Sequence, residues 1–471
     1  MPNLHAESPL FMGRLVMPVA VYLMMPLAQI PLVAQETPIV SLKEFISTEV
    51  RQQGFTLPNP AKVHVYARGG GIERRWNDDQ TLFAYGWILN ATTREVVWQM
   101  SGANSKRQDV YRVADQYIDL PAGSYEAYFS NHGFGRETLF SQWNRNIDRR
   151  RLAKEGNRRP EEGIGFLSLF GADTQSQLRF WQDRAQNYGM EIYAPTTVAG
   201  QVKTFEAPLR WKNVFVSLAK SVDSTQSDQA FRVSKPVSVH VYALGEGRRN
   251  RELNDSGWIL DARTRKRVWE MRADRAQYAG GAQKNLRQVE TIQLPAGDYI
   301  ASFAADDSHS PADWNAAPPC DPALHGLTLS IASDADFQRV ALMEMPKPGP
   351  VLAEVVRVRD DEKRSVPFAL KADELIRIYA IGEGTGRRLE DYGWIEDAKT
   401  GNRVWTMDYS NSRHAGGATK NRLVDEVITL PKGSYTLHFR TDDSHAYGDW
   451  NSDQPRDAEH YGVAVYALTG K

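Results

Sequence analysis

The sequence predicts an all-β protein: three tandem antiparallel β-sandwich domains, Ig-like or jelly-roll-like, the first with a partly helical insertion. Three observations predict it. A motif with two tryptophans recurs three times at fixed spacing. The segments around it alternate apolar and polar residues, and turn signals separate them at short intervals.

The repeat organises the chain. "YGWILNATTREVVWQM" (85–100), "SGWILDARTRKRVWEM" (256–271) and "YGWIEDAKTGNRVWTM" (392–407) each place two tryptophans eleven residues apart. Upstream stand "VYARGGG", "VYALGEG" and "IYAIGEG"; downstream stand "LPAGSY", "LPAGDY" and "LPKGSY". Then come Trp143-Asn144, Trp314-Asn315 and Trp450-Asn451, and a closing strand. Copies two and three keep identical spacing to their ends. In copy one, Trp143 to Gly189 spans 46 positions, against 12 in the others, so it carries an insertion at about 145–187. The domains are expected at 38–200, 210–335 and 350–471, with "MPKPGP" as the Pro-rich joint before the last.

Each element follows from local chemistry. "VSVHVYAL" and "LIRIYAI" are strands, with β-branched and aromatic residues at period two. In "YTLHF", Tyr435, Leu437 and Phe439 share one face. "LPAG" and "LPKG" are turns, because Pro presets φ and Gly admits positive φ. "DARTRKR" and "DAKTGNR" join two strands as hairpins. The tryptophans of the GW and VW pairs are expected in cores, where each buries roughly 150–250 Å². Those of the D-W-N segments follow a polar loop and leave a surface role open.

Strand direction groups the loops. If consecutive strands run antiparallel, three loops of each copy emerge at one end. In copy two these are "GEGRRNRELND", "DRAQYAGGAQKN" and "DDSHSPADWN". In copy three they are "GEGTGRRLED", "SNSRHAGGATKN" and "DDSHAYGDWN". Such loop ends are where β-sandwiches bind ligands. The ligand-binding candidates are therefore Lys284, Asp306, Asp307, His309, Asp313 and Asn315 of copy two. Their counterparts in copy three are Lys420, Asp442, Asp443, His445, Asp449 and Asn451. The hard oxygen donors Asp442, Asp443 and Asp449 would suit Ca²⁺, the one cofactor the loops suggest, while His445 suits it poorly. The competing account is structural: Asp and Asn cap backbone N–H groups in turns, and the lysines reach across to the aspartates. Copy one keeps His132 but lacks both the paired aspartates and the Gly-Gly-Ala-x-Lys-Asn loop.

No catalytic residue is assigned. Ser444 directly precedes His445, a poor geometry for a Ser–His pair, and "GEGTG" lacks the helix and spacing of a dinucleotide site. Three copies of a whole active site in one chain would also be unusual. Lys+Arg at 57 nearly balances Asp+Glu at 58, which excludes a global field for nucleic acid. Residues 1–34, with "LVMPVAVYLMMPLA" behind Arg14, read as a signal peptide; no other run is apolar enough to span a membrane. Cys320 is the single cysteine, so no internal disulfide can form, which fits a bacterial periplasm better than a small eukaryotic secreted scaffold. Export to the periplasm or the extracellular space is expected, and the thiol is expected to be inert. The basic run at 145–159 is expected as a solvated loop, and 172–186 as a helix. The expectation is a non-catalytic binding or scaffolding protein meeting a cell-envelope protein or glycan. The alternative is a hydrolase-type enzyme, metal-dependent or not, in the same loops.

Overall fold

The computed structural model describes residues 36–45, 49–71, 82–131, 184–219, 222–247, 253–306, 308–312 and 314–468. The signal-peptide reading, His132, Trp143, nearly all of the copy-one insertion, Asp307 and Asp313 lie outside them.

The chain is nearly all β, in several antiparallel sheets. Copy one supplies β1 (Glu36–Lys43), β2 (Glu49–Leu57), β3 (Ala61–Gly71), β4 (Leu82–Asn90), β5 (Val96–Gln99), β6 (Lys106–Gln108), β7 (Tyr111–Leu120), β8 (Gly123–Asn131) and β9 (Gly189–Pro195), then β10 (Lys203–Phe205). Copy two supplies β11 (Val214–Ala219), β12 (Gln226–Val233), β13 (Val237–Glu246), β14 (Ser256–Asp261), β15 (Arg267–Glu270), β16 (Gln277–Tyr278), β17 (Asn285–Leu294), β18 (Gly297–Ala304), β19 (Gly326–Ser330) and β20 (Val340–Met343). Copy three supplies β21 (Val351–Val356), β22 (Lys363–Leu370), β23 (Glu374–Thr385), β24 (Arg388–Leu389), β25 (Tyr392–Asp397), β26 (Arg403–Thr406), β27 (Arg413–His414), β28 (Asn421–Leu430), β29 (Gly433–Arg440) and β30 (Gly462–Ala467).

Copies two and three repeat one topology. One sheet runs β11-β19-β13-β17-β16 in copy two and β21-β30-β23-β28-β27 in copy three. The other runs β15-β14-β18-β12-β20 and β22-β29-β25-β26. Copy one differs: its strands join in one continuous sheet, because β3 runs on to Gly70 and Gly71 and pairs there with Ala84 and Leu82 of β4. Within each copy the alternation seen in the sequence sends residues of both strand sets into one core. In copy three Ile376 and Ile378 of β23 meet Leu437 and Phe439 of β29. In copy two Val239 and Val241 meet Ala301 and Phe303.

The LP-x-G turns depart from the expectation that their glycines use positive φ: Gly297 and Gly433 do not, and Gly123, at φ 158°, is extended, because each is already the first residue of its strand. The tyrosine after each LP-x-G turn donates back to the proline carbonyl: Tyr125 to Pro121 at 2.9 Å, Tyr299 to Pro295 at 2.9 Å, Tyr435 to Pro431 at 2.8 Å. Two linkers also contribute edge strands outside the expected domain limits: β10 pairs with β2, and β20 pairs with β12.

The two tryptophans of each motif have different surroundings. Trp98, Trp269 and Trp405 sit in the cores. Trp87 is buried too, but its indole N–H donates 2.7 Å to the Cys320 carbonyl of copy two. Arg267 and, from copy three, Arg413 lie over Trp258 at 5.2 and 5.8 Å. A neighbouring copy thus completes the burial of these two. Trp394 of copy three is covered by Arg403 of its own copy at 4.6 Å and stacks on His438. Among the described residues no helix is long and apolar enough to cross a membrane.

Candidate functional site

The three loops at one end of copies two and three do converge, and a hydrogen-bond network holds them. Its centre is a histidine. His445 is fully buried, and its Nε2 lies 2.7 Å from Oδ1 of Asn421, the first residue of β28. The Asn421 amide N–H₂ donates to the carbonyls of Gly416 (2.7 Å) and Asp453 (2.9 Å). That fixes the amide orientation, so Oδ1 must accept and His445 must carry its proton on Nε2. Copy two repeats this: His309 Nε2 lies 2.6 Å from Asn285 Oδ1, and Asn285 donates to Gly280 and Ala317. Burial, with Lys420 nearby, holds His445 down to about 4, so it is a neutral imidazole at ordinary pH.

The lysines reach somewhere other than expected. Lys420 Nζ lies 2.6 Å from Asn451 Oδ1 and 2.7 Å from Glu383 Oε1. Lys284 Nζ lies 2.8 Å from Asn315 Oδ1 and 3.0 Å from Glu246 Oε2. A Lys–Asp bridge was the expectation; the partner is instead the glutamate of "GEG", because that strand end lies beside the start of β17 or β28.

Those glutamates belong to a carboxylate triad. Glu246, Asp255 and Asp306 bring one oxygen each within 4.8 Å of one another, as do Glu383, Asp391 and Asp442. Asp391 is fully buried and accepts from the Asp442 N–H at 2.8 Å and from the Tyr461 hydroxyl. Asp255 likewise accepts from Asp306 N–H at 2.7 Å, with His325 Nε2 at 3.4 Å in the place of Tyr461. Asp306 and Asp442 accept from the N–H of Ser308 and Ser444, both at 3.0 Å, which closes the turn of each DDS segment. Burial, opposed by Lys284, pushes Glu246 up to about 8; burial, opposed by the Tyr461 bond, pushes Asp391 up to about 7. Each triad can thus keep a proton at neutral pH.

For a cation, the oxygen spacing is compatible with one ion, but a lysine ammonium already lies against the glutamate in both copies. Of the suggested Ca²⁺ ligands only Asp442 joins the triad; Asp443 and Asp449 are exposed. Among the site residues read from sequence, the network unites Lys284, Asp306, His309 and Asn315, and Lys420, Asp442, His445 and Asn451. Glu246, Asp255, Glu383 and Asp391 were missed. Their signal was present: "GEG" occurs in the two copies that keep DDSH, and "GGG" stands in the one that does not.

No protein-family model matches the chain, and no curated protein matches it. Among solved structures, PNGF-II aligns at a TM-score of 0.23 and 9% identity, over 60% of this chain and 73% of its own. The PBCV-1 virus capsid aligns at 0.18 and 10%, over 56% and 95%. The CBM32-1, CBM32-2 and M60 catalytic domains of Clostridium perfringens ZmpB align at 0.15 and 9%, over 89% and 52%. At such TM-scores these likenesses carry no weight for fold or function.

Proposed function

We propose that this is an exported, non-catalytic binding and scaffolding protein of the cell envelope, made of three tandem β-sandwich modules. It would recognise a protein or carbohydrate at the loop end of modules two and three. The non-catalytic reading is supported by what the candidate groups already do. Each histidine commits Nε2 to an asparagine, each lysine is paired, and Asp255 and Asp391 are fully buried, out of reach of a substrate.

The observation that carries the binding reading is a polar cleft of about 700 Å³, where the acidic loop of copy two meets the Gly-Gly loop of copy three. Asn254, Asp306, His414, Thr419, Asp453 and Arg456 line it. Its size suits a small ligand, and its amide, hydroxyl and charged groups suit hydroxyl-rich ones.

Thermal melts of the full chain against envelope glycans test this, since a ligand bound only to the folded state raises the melting temperature. A rise of several degrees in wild type, absent from Thr419→Arg, is expected. Glycan or peptide turnover that disappears in Asp442→Asn, the half-buried member of the triad, would instead establish the enzyme alternative.

A further inference from the structure

The junctions between copies use the same key. Seven residues after the first motif tryptophan stand Arg94 in copy one, Arg265 in copy two and Gly401 in copy three. All three occupy the positive-φ position of a hairpin tip, at 59°, 59° and 72°. Arg94 enters copy two, where Nη2 lies 2.5 Å from Asp321 Oδ1, and the Tyr242 hydroxyl donates to the same carboxylate at 2.7 Å. Arg265 enters copy three, where Nη2 lies 2.6 Å from Asp425 Oδ2. Arg377 of copy three braces that carboxylate from the other side, Nε to Oδ1 at 2.7 Å. Asp425 pairs in register with Tyr379, the counterpart of Tyr242.

Copy one keeps the tyrosine–aspartate pair that receives Arg265 in copy three; copy two has Val289 at that register position, and its receiving carboxylate, Asp321, lies before β19. Tyr66 is the counterpart tyrosine, and its register partner is Asp115. His64 stands where Arg377 stands and braces Asp115 in the same way, Nε2 to Oδ1 at 2.7 Å. Yet the Asp115 side chain is 62% exposed. Beside it Tyr117 is exposed, and its hydroxyl donates to Glu36 at 2.7 Å.

We infer that this face of copy one, centred on Asp115, is a docking site for the arginine-tipped β-hairpin of a partner protein. The precedent lies within the molecule: Asp425, at the same register position, takes an arginine hairpin tip beside the brace of Arg377, and Asp115 braced by His64 offers the same acceptor. A second copy of this chain does not fit. Its remaining free tip carries Gly401, and its two arginine tips are engaged within the molecule. The inference stands apart from the loop-end reading, since it uses the opposite end of the motif hairpin and another copy.

The test uses a cyclised hairpin peptide of residues 256–271 as probe, titrated onto the full chain at low salt. Expected is saturable binding, weakened at least tenfold by Arg265→Ala in the peptide or by Asp115→Asn in the chain. In the full chain, Gly401→Arg should restore the missing key, giving concentration-dependent association in sedimentation velocity that Asp115→Asn abolishes. Circular dichroism melts establish that the Asp115→Asn chain is folded. No binding of the peptide, or binding indifferent to Asp115→Asn, overturns the inference. So does association of the unaltered chain that depends on Asp115, which would make the occupant a second copy.

Discussion

At the residue scale, the DDSH segment is built around a histidine that holds loops together. His445 adopts φ 58° and His309 φ 67°, a region few non-glycine residues occupy, and this turns each ring inward onto an asparagine. Asn421→Ala would strip a partner from His445 and from two carbonyls at once. It should cost on the order of 2–5 kcal/mol in a denaturant titration, since each buried unpaired group costs about 1–3 kcal/mol. The imidazoles should also separate in a histidine NMR titration. His445 should stay neutral down to about 4. His64, where burial is outweighed by its bonds to Asp115 and Glu36, should titrate above its usual value. A depressed histidine stabilises the fold fully above the unfolded value near 6.5, and that contribution is lost as pH falls toward 4. Glu246 has the opposite sign. Its folded carboxyl keeps a proton that the unfolded chain releases near 4.5, so its contribution is full at lower pH and declines as pH rises toward 8. Glu246→Gln should therefore flatten the loss of stability between about pH 6 and 8 in melts across that range.

At the element scale, two kinds of glycine turn behave differently. Gly417 has φ 65°, and a Cβ there would come 2.0 Å from the Gln454 carbonyl oxygen. Gly281 repeats this in copy two, 1.9 Å from the Pro318 oxygen. These glycines let the loop after β16 or β27 lie directly on the segment before the closing strand, which delivers the asparagine to the histidine. Gly401 also has positive φ, at 72°, but a Cβ would meet nothing within 4 Å. Gly417→Ala should thus lower the melting temperature much more than Gly401→Ala, which bears only the backbone penalty of about 1 kcal/mol. That arginine fills the equivalent place in the other copies, also at positive φ, agrees with a tolerant site.

Across the whole molecule, the junctions are unequal. Arg94 is 1% exposed and is bound by Glu126 and Asp321, from two copies; Arg265 is 14% exposed and shares Asp425 with Arg377. Arg94→Ala leaves two buried carboxylates with no arginine between them and should cost about 3–5 kcal/mol. Arg265→Ala leaves Asp425 still paired with Arg377 and should cost less. Chemical denaturation of both variants checks the order, and Arg94→Ala should separate the unfolding of copy one from that of copy two. Asp425, held down to about 2 by Arg265 and Arg377 against burial, keeps its stabilising charge until strongly acid pH. Cys320 lies in the first junction, and burial pushes its thiol up to about 12, so alkylation should wait for unfolding.

What the sequence determined by itself was everything local and periodic. Period-two alternation marked the strands, LP-x-G and the hairpin tips marked the turns, and the thrice-used tryptophan motif marked the copies. It also brought the DDSH and Gly-Gly-Ala loops to one end, because antiparallel succession alone decides which connections share an end. Only the tertiary structure decided the partners. Glu383, near the end of β23, and Asp391, just before β25, stand eight residues apart, and nothing in that spacing says that Asp442 completes their triad. Nor could spacing tell that the lysine would take the glutamate, or that Arg94 and Arg265 would leave their own copies. Strand pairing and loop direction are settled by neighbours in the chain, whereas which charge meets which in a buried junction depends on how folded surfaces are brought together.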